Sequence, residues 1–175
     1  LLATSDGVIH ALRLDGSQAP GWPVTTDPLP VHQEARAFSS GAVPVPHAAV
    51  IGELAAGDLD GDGSLEVVAA DLEGWVYVWS STGVRRAGFP VSTLPQYSHS
   101  RRSERDPRTP EGLVPDRINR KTRDNRLARG ISAGPVLVNL DASPDGSLEI
   151  VVGALDRHLY AWTHRGAPVP GWPVM

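Results

Sequence analysis

The chain has 175 residues, of which 41% are hydrophobic and 21% charged, so it can form one domain with a buried core and does not have the composition of a disordered chain. It contains no cysteine, which excludes disulfide bonds and thiolate zinc sites, and no apolar stretch approaches the roughly 20 residues that cross a bilayer. The net charge is −4, but it is unevenly distributed, since residues 101–129 contain ten of the sixteen basic residues. The rest of the chain is therefore acidic, and no nucleic-acid partner is expected.

The first predicted element is a pair of strands within residues 5–24, which read SDGVIHALRLDGSQAPGWPV. Ile9 and Ala11 alternate with the bulkier His10 and Leu12, and this period of two is typical of a β-strand. A glycine turn then leads into Gly-Trp-Pro-Val, where the proline favours an edge strand because it lacks a backbone donor.

The same pattern occurs twice more, and the three copies align without a gap. Residues 72–91 read LEGWVYVWSSTGVRRAGFPV and residues 155–174 read LDRHLYAWTHRGAPVPGWPV, each ending in Gly-aromatic-Pro-Val. Small residues occupy one side of each central strand and bulky residues the other, so both faces of each sheet need a cover. We therefore expect the sheets to stack, with the aromatic face of one sheet against the small-residue face of the next.

Two further strands are predicted ahead of the second and third copies. Apolar segments flank an acidic loop at Leu54–Ala56 and Val67–Ala70, and again at Pro135–Val138 and Ile150–Val152. Each complete unit would then have four antiparallel strands, and four-stranded units repeated radially are the blades of a β-propeller. The first copy lacks its opening strand, so the sequence predicts about two and a half blades where closure needs roughly four to eight. We therefore expect a fragment of a longer protein.

The predicted architecture is all-β, an incomplete propeller with two long insertions between blades. In chain order it has a partial blade at 1–24, an insertion at 25–53, a blade with an acidic loop at 54–91, a basic insertion at 92–132 and a last blade at 133–175. Connections between blades emerge on one face of the disc, where loops often carry recognition. The basic insertion is open to two interpretations: a solvated loop, or an arm that docks onto an acidic partner or a neighbouring blade.

The acidic loop of the second unit reads DLDGDGSLE and places carboxylates on alternate residues. A tight turn at Gly63 would direct their oxygens to a common centre. The predicted metal ligands are Asp58, Asp60, Asp62, the Ser64 backbone carbonyl and Glu66. An all-oxygen set of this size favours calcium over zinc or copper, and over magnesium, which requires strict octahedral geometry. An EF-hand is excluded because Ala69 stands at the twelfth position, where that motif needs glutamate.

The third unit has a related loop, NLDASPDGSLE, with one carboxylate fewer. In one register Ser143 replaces a carboxylate; in the other, Asn139 and Asp141 supply the first two ligands and two extra residues precede Asp145. The apolar residues before the loop favour the second register. Weaker binding is expected here than at the first loop. The candidate ligands of this second site are Asn139, Asp141, Ser143, Asp145, Ser147 and Glu149.

The stretch GDLDGDGSLEVVAADLEGWVYVWSSTG, followed by GFPV, resembles the FG-GAP/VCBS-type repeats of bacterial extracellular proteins, which are related to the integrin α-subunit propeller. The resemblance implies a calcium-stabilised propeller, usually of about seven blades, that is secreted or exposed at the cell surface and serves adhesion or ligand binding. It assigns cation binding to the loop from Asp58 to Glu66. The partners it implies are a protein or carbohydrate ligand and the remaining blades of a longer parent chain.

No catalytic constellation is visible, so a non-enzymatic role is predicted. The six histidines are scattered, and the chain has neither cysteine nor a Gly-x-Ser-x-Gly elbow. His10 matches Tyr77 and Tyr160 in the repeat and is interpreted as a packed core residue. Trp75 could stack on a sugar if it were exposed, although packing between blades is the favoured interpretation.

Two alternatives to a binding module remain open at this point. The segment from Gly16 to Trp22 faintly resembles the tryptophan-docking motif of pyrroloquinoline-quinone-dependent dehydrogenases, but its spacing is longer than that motif requires. The other alternative is a purely structural scaffold within a larger secreted protein. Assaying alcohol oxidation with added quinone separates the enzyme from the other two.

Overall fold

Three antiparallel β-sheets contain nearly all the regular structure of the computed structural model, which describes residues 1–29, 36–97 and 129–175. The strands of the first sheet are β1 (Leu2–Ala3), β2 (Val8–His10) and β3 (Val24–Thr25). Those of the second are β4 (Ala55–Gly57), β5 (Glu66–Ala70), β6 (Trp75–Ser80) and β7 (Val91–Ser92). Those of the third are β8 (Val136–Val138), β9 (Glu149–Gly153) and β10 (Leu159–Trp162).

The helical segments of the described residues include α1 (Arg36–Ser39) and a 3₁₀ turn at Pro95–Tyr97, and both are short. The all-β prediction is therefore confirmed. Residues 30–35 and 98–128 fall within the two predicted insertions and lie outside the described residues. The interpretations of the basic insertion concern mainly this second range. No helix among the described residues is long and apolar enough to cross a membrane.

The strands of each sheet follow one another in chain order, as a meander. In the second sheet the order is β4-β5-β6-β7, and the register pairs Val68 with Val78 and Val76 with Val91. The third sheet repeats this arrangement, because Leu159 pairs with Val174 where Val76 pairs with Val91. The first sheet has three strands, equivalent to the last three of the second sheet.

The sheets stack face to face in the predicted sense. Ile9 on the small-residue face of the first sheet packs in one buried cluster with Tyr77 and Trp79 on the aromatic face of the second. On the opposite side of the second sheet, Val76 and Val78 share a second cluster with aromatic residues of the third sheet. The aromatic rings lie parallel in pairs, Tyr77 with Trp79 and Tyr160 with Trp162. Burial of both faces explains why the central strands are apolar on both sides.

Glycines let neighbouring sheets approach at backbone distance. A Cβ atom on Gly21 would lie 1.8 Å from the carbonyl oxygen of Thr82, and one on Gly88 would lie 2.2 Å from that of Arg165. Both glycines also have positive φ, a region that side chains rarely adopt. The equivalent Gly171 of the third unit has positive φ as well, but nothing lies within 4 Å of its Cβ position.

A tyrosine hydroxyl also joins each sheet to the one before it. The Tyr77 hydroxyl accepts a hydrogen bond from the backbone N–H of Asp27, at 3.2 Å, and donates one to the buried Asp71 carboxylate. The Tyr160 hydroxyl accepts the N–H of Leu94 at the same distance and donates to Asp156. Each contact between sheets therefore has a directional polar component as well as an apolar one.

Both connections between sheets are closed at their base by a buried threonine. Thr26 donates from its hydroxyl to the carbonyl of Ala48, at 2.8 Å, and Thr93 donates to the carbonyl of Arg129, at 3.1 Å. The two ends of each connection, residues 27–47 and residues 94–128, are therefore held next to each other at the edge of the sheets. The pairing of Trp75 with Ser92 puts this base at the end of the sheet opposite Glu66, which pairs with Ser80.

Two side-chain interpretations have different outcomes. Trp75 is half-buried and packs against the cluster between the first two sheets, as favoured. The interpretation of His10 as a core residue is wrong: its ring is half-buried and lies 2.6 Å from Nε2 of Gln18. The reason is its position on the outer face of the first sheet, which no other described sheet covers.

Candidate metal centre

The acidic loop connects β4 to β5, and the side chain of Leu59 fixes it to the hydrophobic core. The pair Gly57–Glu66 closes the hairpin. Leu59 is fully buried in the cluster between the second and third sheets, although both of its neighbours are aspartates. Alternation of carboxylates with Leu59 therefore holds the loop on the sheet while Asp58 and Asp60 project away from the core.

Asp58 organises the loop through its own carboxylate. Oδ1 accepts the backbone N–H groups of Gly61 and Asp62, at 2.8 and 3.1 Å, and Oδ2 accepts that of Gly63, at 2.8 Å. Three backbone donors directed at one carboxylate hold a tight curve. Gly61 is needed at that curve, since its φ is positive and a Cβ there would lie 2.8 Å from the carbonyl oxygen of Asp145.

Three carboxylates of the loop come together in a group that could hold a metal ion. Asp58, Asp60 and Glu66 each offer one oxygen, and these oxygens lie within 4.8 Å of one another. An ion with oxygen bonds of about 2.4 Å can bridge oxygens up to about 4.8 Å apart. Oδ1 of Asp60 is buried and has no hydrogen-bond partner, as expected of a ligand atom. The donor set and its spacing fit a hard cation.

A residue that the sequence analysis did not single out also faces this group. The Arg86 guanidinium forms ion pairs with Asp60 and with Glu66, and the Nη1–Oε1 distance to Glu66 is 2.9 Å. The other oxygen of Glu66, Oε2, accepts the backbone N–H of Leu59 at 3.0 Å. The carboxylate repulsion evident in the sequence is thus relieved in part by a cation of the chain itself.

The arginine also determines the protonation of its partner. The hydrogen bond from Arg86 is the largest cause that lowers the pKa of the Asp60 carboxyl below its ordinary value, against the opposing effect of burial. The same contact raises the pKa of the Arg86 guanidinium. Both groups are therefore charged over the physiological pH range.

An alignment of the repeats contains a signal for Arg86. Ala19, Arg86 and Val169 occupy equivalent places, because each donates its backbone N–H to the central strand of its sheet in the same way. Arginine at a place where the other copies have small or apolar residues marks the second unit as different. The alignment does not show that Arg86 lies near the acidic loop. That follows from the strand pairing, which puts Gly57, Glu66 and Ser80 at one end of the sheet.

Two of the five predicted ligands are not in the carboxylate group. Asp62 is exposed, and its Oδ1 accepts the N–H of Ser64 at 2.7 Å. Ser64 is predicted to bind through its backbone carbonyl, an atom that a group of carboxylates does not include. The complete set of five ligands therefore stays a prediction, and the group that the structure brings together consists of Asp58, Asp60 and Glu66.

For the loop of the third unit, strand pairing favours the second register. Val138 pairs with Glu149 as Gly57 pairs with Glu66, which matches Asn139 with Asp58 and makes this loop two residues longer. The N–H of Leu140 donates to Oε2 of Glu149 at 2.8 Å, as Leu59 does to Glu66. The two loops therefore share one construction.

The polar side chains of the second loop hydrogen-bond mainly to one another. Ser143 donates its N–H to Asn139 and Asp141 and its hydroxyl to Asp145, and its hydroxyl lies 3.0 Å from that of Ser147. Hydrogen bonds from serine, the largest of them from the Ser147 N–H, lower the pKa of Asp145 to about 2. Within the described ranges, the single group of three or more histidine, aspartate or glutamate side chains close enough to share a metal ion is the one in the first loop. Metal binding by the second loop stays a prediction.

The two loops lie against each other. The N–H of Leu148 donates to the carbonyl of Leu59 at 3.0 Å. The positive charge that His164 would carry when protonated contributes to lowering the pKa values of both Asp60 and Asp145. A change at one loop is therefore in a position to affect the other.

Comparison with known proteins adds no relative. No family model matches the chain, and no curated protein matches it. The resemblance to FG-GAP/VCBS-type repeats consequently depends on the repeat residues of the chain itself.

Proposed function

We propose that this chain is a segment of a calcium-stabilised β-propeller of the FG-GAP/VCBS type. In this proposal it lies outside the cell or on the cell surface, binds a protein or carbohydrate ligand and catalyses no reaction. The first loop holds the calcium ion, and the remaining blades belong to a longer parent chain.

The observation that carries the propeller proposal is the repetition of the contacts between sheets. Gly21 meets the turn at Thr82–Gly83, and Gly88 meets the turn at Arg165–Gly166 in the same way. Equivalent atoms make both of these contacts, as expected if each sheet is related to the next by the same rotation. Repeated rotation of four-stranded units about one axis is how a propeller is built.

The outer face of the third sheet supports further blades as partners. Leu159 is 46% exposed there, whereas the equivalent Val76 in the second sheet is completely buried under its neighbour. Val136 and Val174 are exposed beside Leu159 and extend the apolar surface. Covering such a face with another sheet of the same kind removes a hydrophobic area that is costly to leave in water.

Calcium is the proposed ion because the donors are hard oxygens. Zinc and copper prefer nitrogen or sulfur ligands, and magnesium requires stricter geometry. Extracellular modules bind calcium with Kd values of about 10⁻⁴ to 10⁻³ M, so the site needs a calcium-rich compartment. This requirement is the physical support for an exterior location.

The proposed recognition surface is the end of the sheets opposite the calcium loop. Both long connections leave from that end, at Thr26 and Thr93, and are held together at their base. Loops on a rigid scaffold are common sites of recognition. Trp75 packs half-buried against the cluster between the first two sheets, which leaves only part of its surface for contact with a carbohydrate ligand.

Differential scanning calorimetry with calcium and then with a chelator tests the proposal. With a Kd of about 10⁻⁴ M, 1 mM calcium stabilises the protein by roughly 1.4 kcal/mol, which raises Tm by about 3–5 °C. Asp60→Asn should abolish the increase. Asp15→Asn is the control, because Asp15 is an exposed turn aspartate of the first unit and its carboxylate accepts the N–H of Ser17. An unchanged Tm in calcium for the unmodified protein contradicts the proposal.

A further inference from the structure

We infer that Arg86 is a resident counter-cation of the first acidic loop. Its guanidinium supplies the positive charge that Asp60 and Glu66 need when no ion is bound, and it competes with a metal ion for their oxygens. The inference rests on the proposed calcium site only where it concerns competition. The neutralising role stands on the ion pairs alone.

The ion pairs are placed where an uncompensated charge would be most costly. Glu66 is only 2% exposed, and its two oxygens are taken by Arg86 and by the N–H of Leu59. The Arg86 side chain as a whole is 25% exposed. Removing one partner of a largely buried ion pair leaves the other charge without compensation in a poorly solvated place.

The geometry suits arginine in particular. One Nη atom of Arg86 pairs with Asp60 and the other pairs with Glu66, so a single planar group joins the first half of the loop to the strand that follows it. The ammonium of lysine is a compact point charge and lacks this planar fork. The loop is thereby closed across the same two carboxylates that a metal ion would bridge.

The distribution of charge between the two loops agrees with this role. The first loop has four carboxylates and Arg86, whereas the second has three carboxylates and Val169 at the equivalent place. With the arginine included, both loops carry a net charge of −3. The cation is present in the unit with the additional carboxylate.

Competition with a metal ion follows from the shared oxygens. Asp60 and Glu66 belong both to the carboxylate group and to the ion pairs of Arg86. An ion must displace the guanidinium or accept a positive neighbour a few ångströms away, and each lowers affinity. The loop then stays ordered at low calcium and takes up the ion only when calcium is abundant.

Calcium titration calorimetry tests the competition in the full chain. Replacing arginine in Arg86→Gln should tighten the calcium Kd by about tenfold or more. The matched control is Arg85→Gln, because Arg85 directly precedes Arg86 and its ion pair is with Asp27, outside the loop, at 2.8 Å. Its Kd should stay within about twofold of the unmodified protein. An Arg86→Gln protein that binds calcium equally or more weakly overturns the competition.

Thermal unfolding in chelator tests the neutralising role without any metal. Arg86→Gln should lower Tm by about 5 °C or more, because it leaves Glu66 buried and uncompensated. The double variant Arg86→Gln/Glu66→Gln should lose clearly less than the sum of the single variants, since it removes both charges. Additive losses overturn the inference. If neither the unmodified protein nor Arg86→Gln binds millimolar calcium, the calcium proposal fails, and this measurement alone decides whether Arg86 is the counter-cation.

Discussion

Asp71 is a buried carboxyl group that joins its own turn to Tyr77, and the Tyr77 hydroxyl in turn contacts the segment that follows the first sheet. It is completely inaccessible to solvent, accepts the N–H groups of Glu73 and Trp75, and accepts the Tyr77 hydroxyl at 3.1 Å. Burial is the largest influence and raises its pKa to about 6 despite these donors. The group therefore titrates between mildly acidic and neutral pH.

Stability should fall as pH rises through about 6 because of Asp71. Its folded pKa lies above the ordinary 3.8, so the folded state binds more protons than the unfolded state between these values. The contribution of Asp71 to the free energy of unfolding is about 3 kcal/mol; it is fully present below about pH 4 and is lost by pH 7. Urea unfolding at several pH values measures it. Asp71→Asn should flatten this pH dependence, and an unchanged slope in that variant would assign the effect to another group.

At the scale of single elements, the glycine turns determine how closely two sheets approach. Gly88 lies against the turn at Arg165–Gly166, with room for a hydrogen but not for a methyl group. The flanking strands alone could pack at many distances, because apolar contact is not directional. Backbone contact at this one point selects a single arrangement.

A pair of alanine substitutions separates this close approach from backbone conformation. Gly88 and Gly171 both have positive φ, 90° and 87°, but only Gly88 has a neighbouring sheet within contact of its Cβ position. Gly171→Ala should lower the free energy of unfolding by about 1–2 kcal/mol, because alanine is disfavoured at positive φ. Gly88→Ala should cost about 2 kcal/mol more because of the clash. Chemical denaturation measures both, and equal losses would mean that the sheets can separate at little cost.

The acidic loop shows which parts of a site can be predicted from neighbouring residues in the sequence. Alternation of acids with Leu59 and the two glycines predicts a tight hairpin with converging oxygens, and three of those oxygens do converge. Asp62 could not be placed in this way, because the direction of an exposed side chain depends on small differences in backbone angle. Arg86 lies 26 residues beyond Asp60, in the connection between β6 and β7, and only the pairing of the strands brings it near the loop.

At the scale of the whole molecule, the two ends of the stacked sheets differ in chemistry. The acidic loops lie at one end and contact each other through Leu59 and Leu148. The long connections leave from the other end, closed at Thr26 and Thr93. Such separation allows the connections to vary in sequence without disturbing either the stacking of the sheets or the metal loop.

Shortening the second connection should leave the fold intact. Thr93 and the carbonyl of Arg129 are hydrogen-bonded, so the chain between them spans a short gap. Replacing residues 98–128 with about ten glycine and serine residues should stabilise the protein by about 1 kcal/mol through a smaller loop-closure entropy. Thermal unfolding measures the change. A large loss of stability would show that the replaced residues pack on the sheets, and the matched control is a scrambled sequence of the original length.

The amino-acid sequence by itself determined the strands, the repeat and the acidic hairpin, because these depend on residue periodicity and on turn chemistry within a few positions. It also determined that aromatic faces meet small-residue faces, since each sheet is apolar on both sides. Only the tertiary structure decided that Arg86 faces Asp60 and Glu66, that Asp71 and Tyr77 join two sheets, and that His10 lies on an uncovered face. These facts depend on which distant strand ends are brought to one edge, and that is set by pairing register and sheet stacking, to which many positions contribute together.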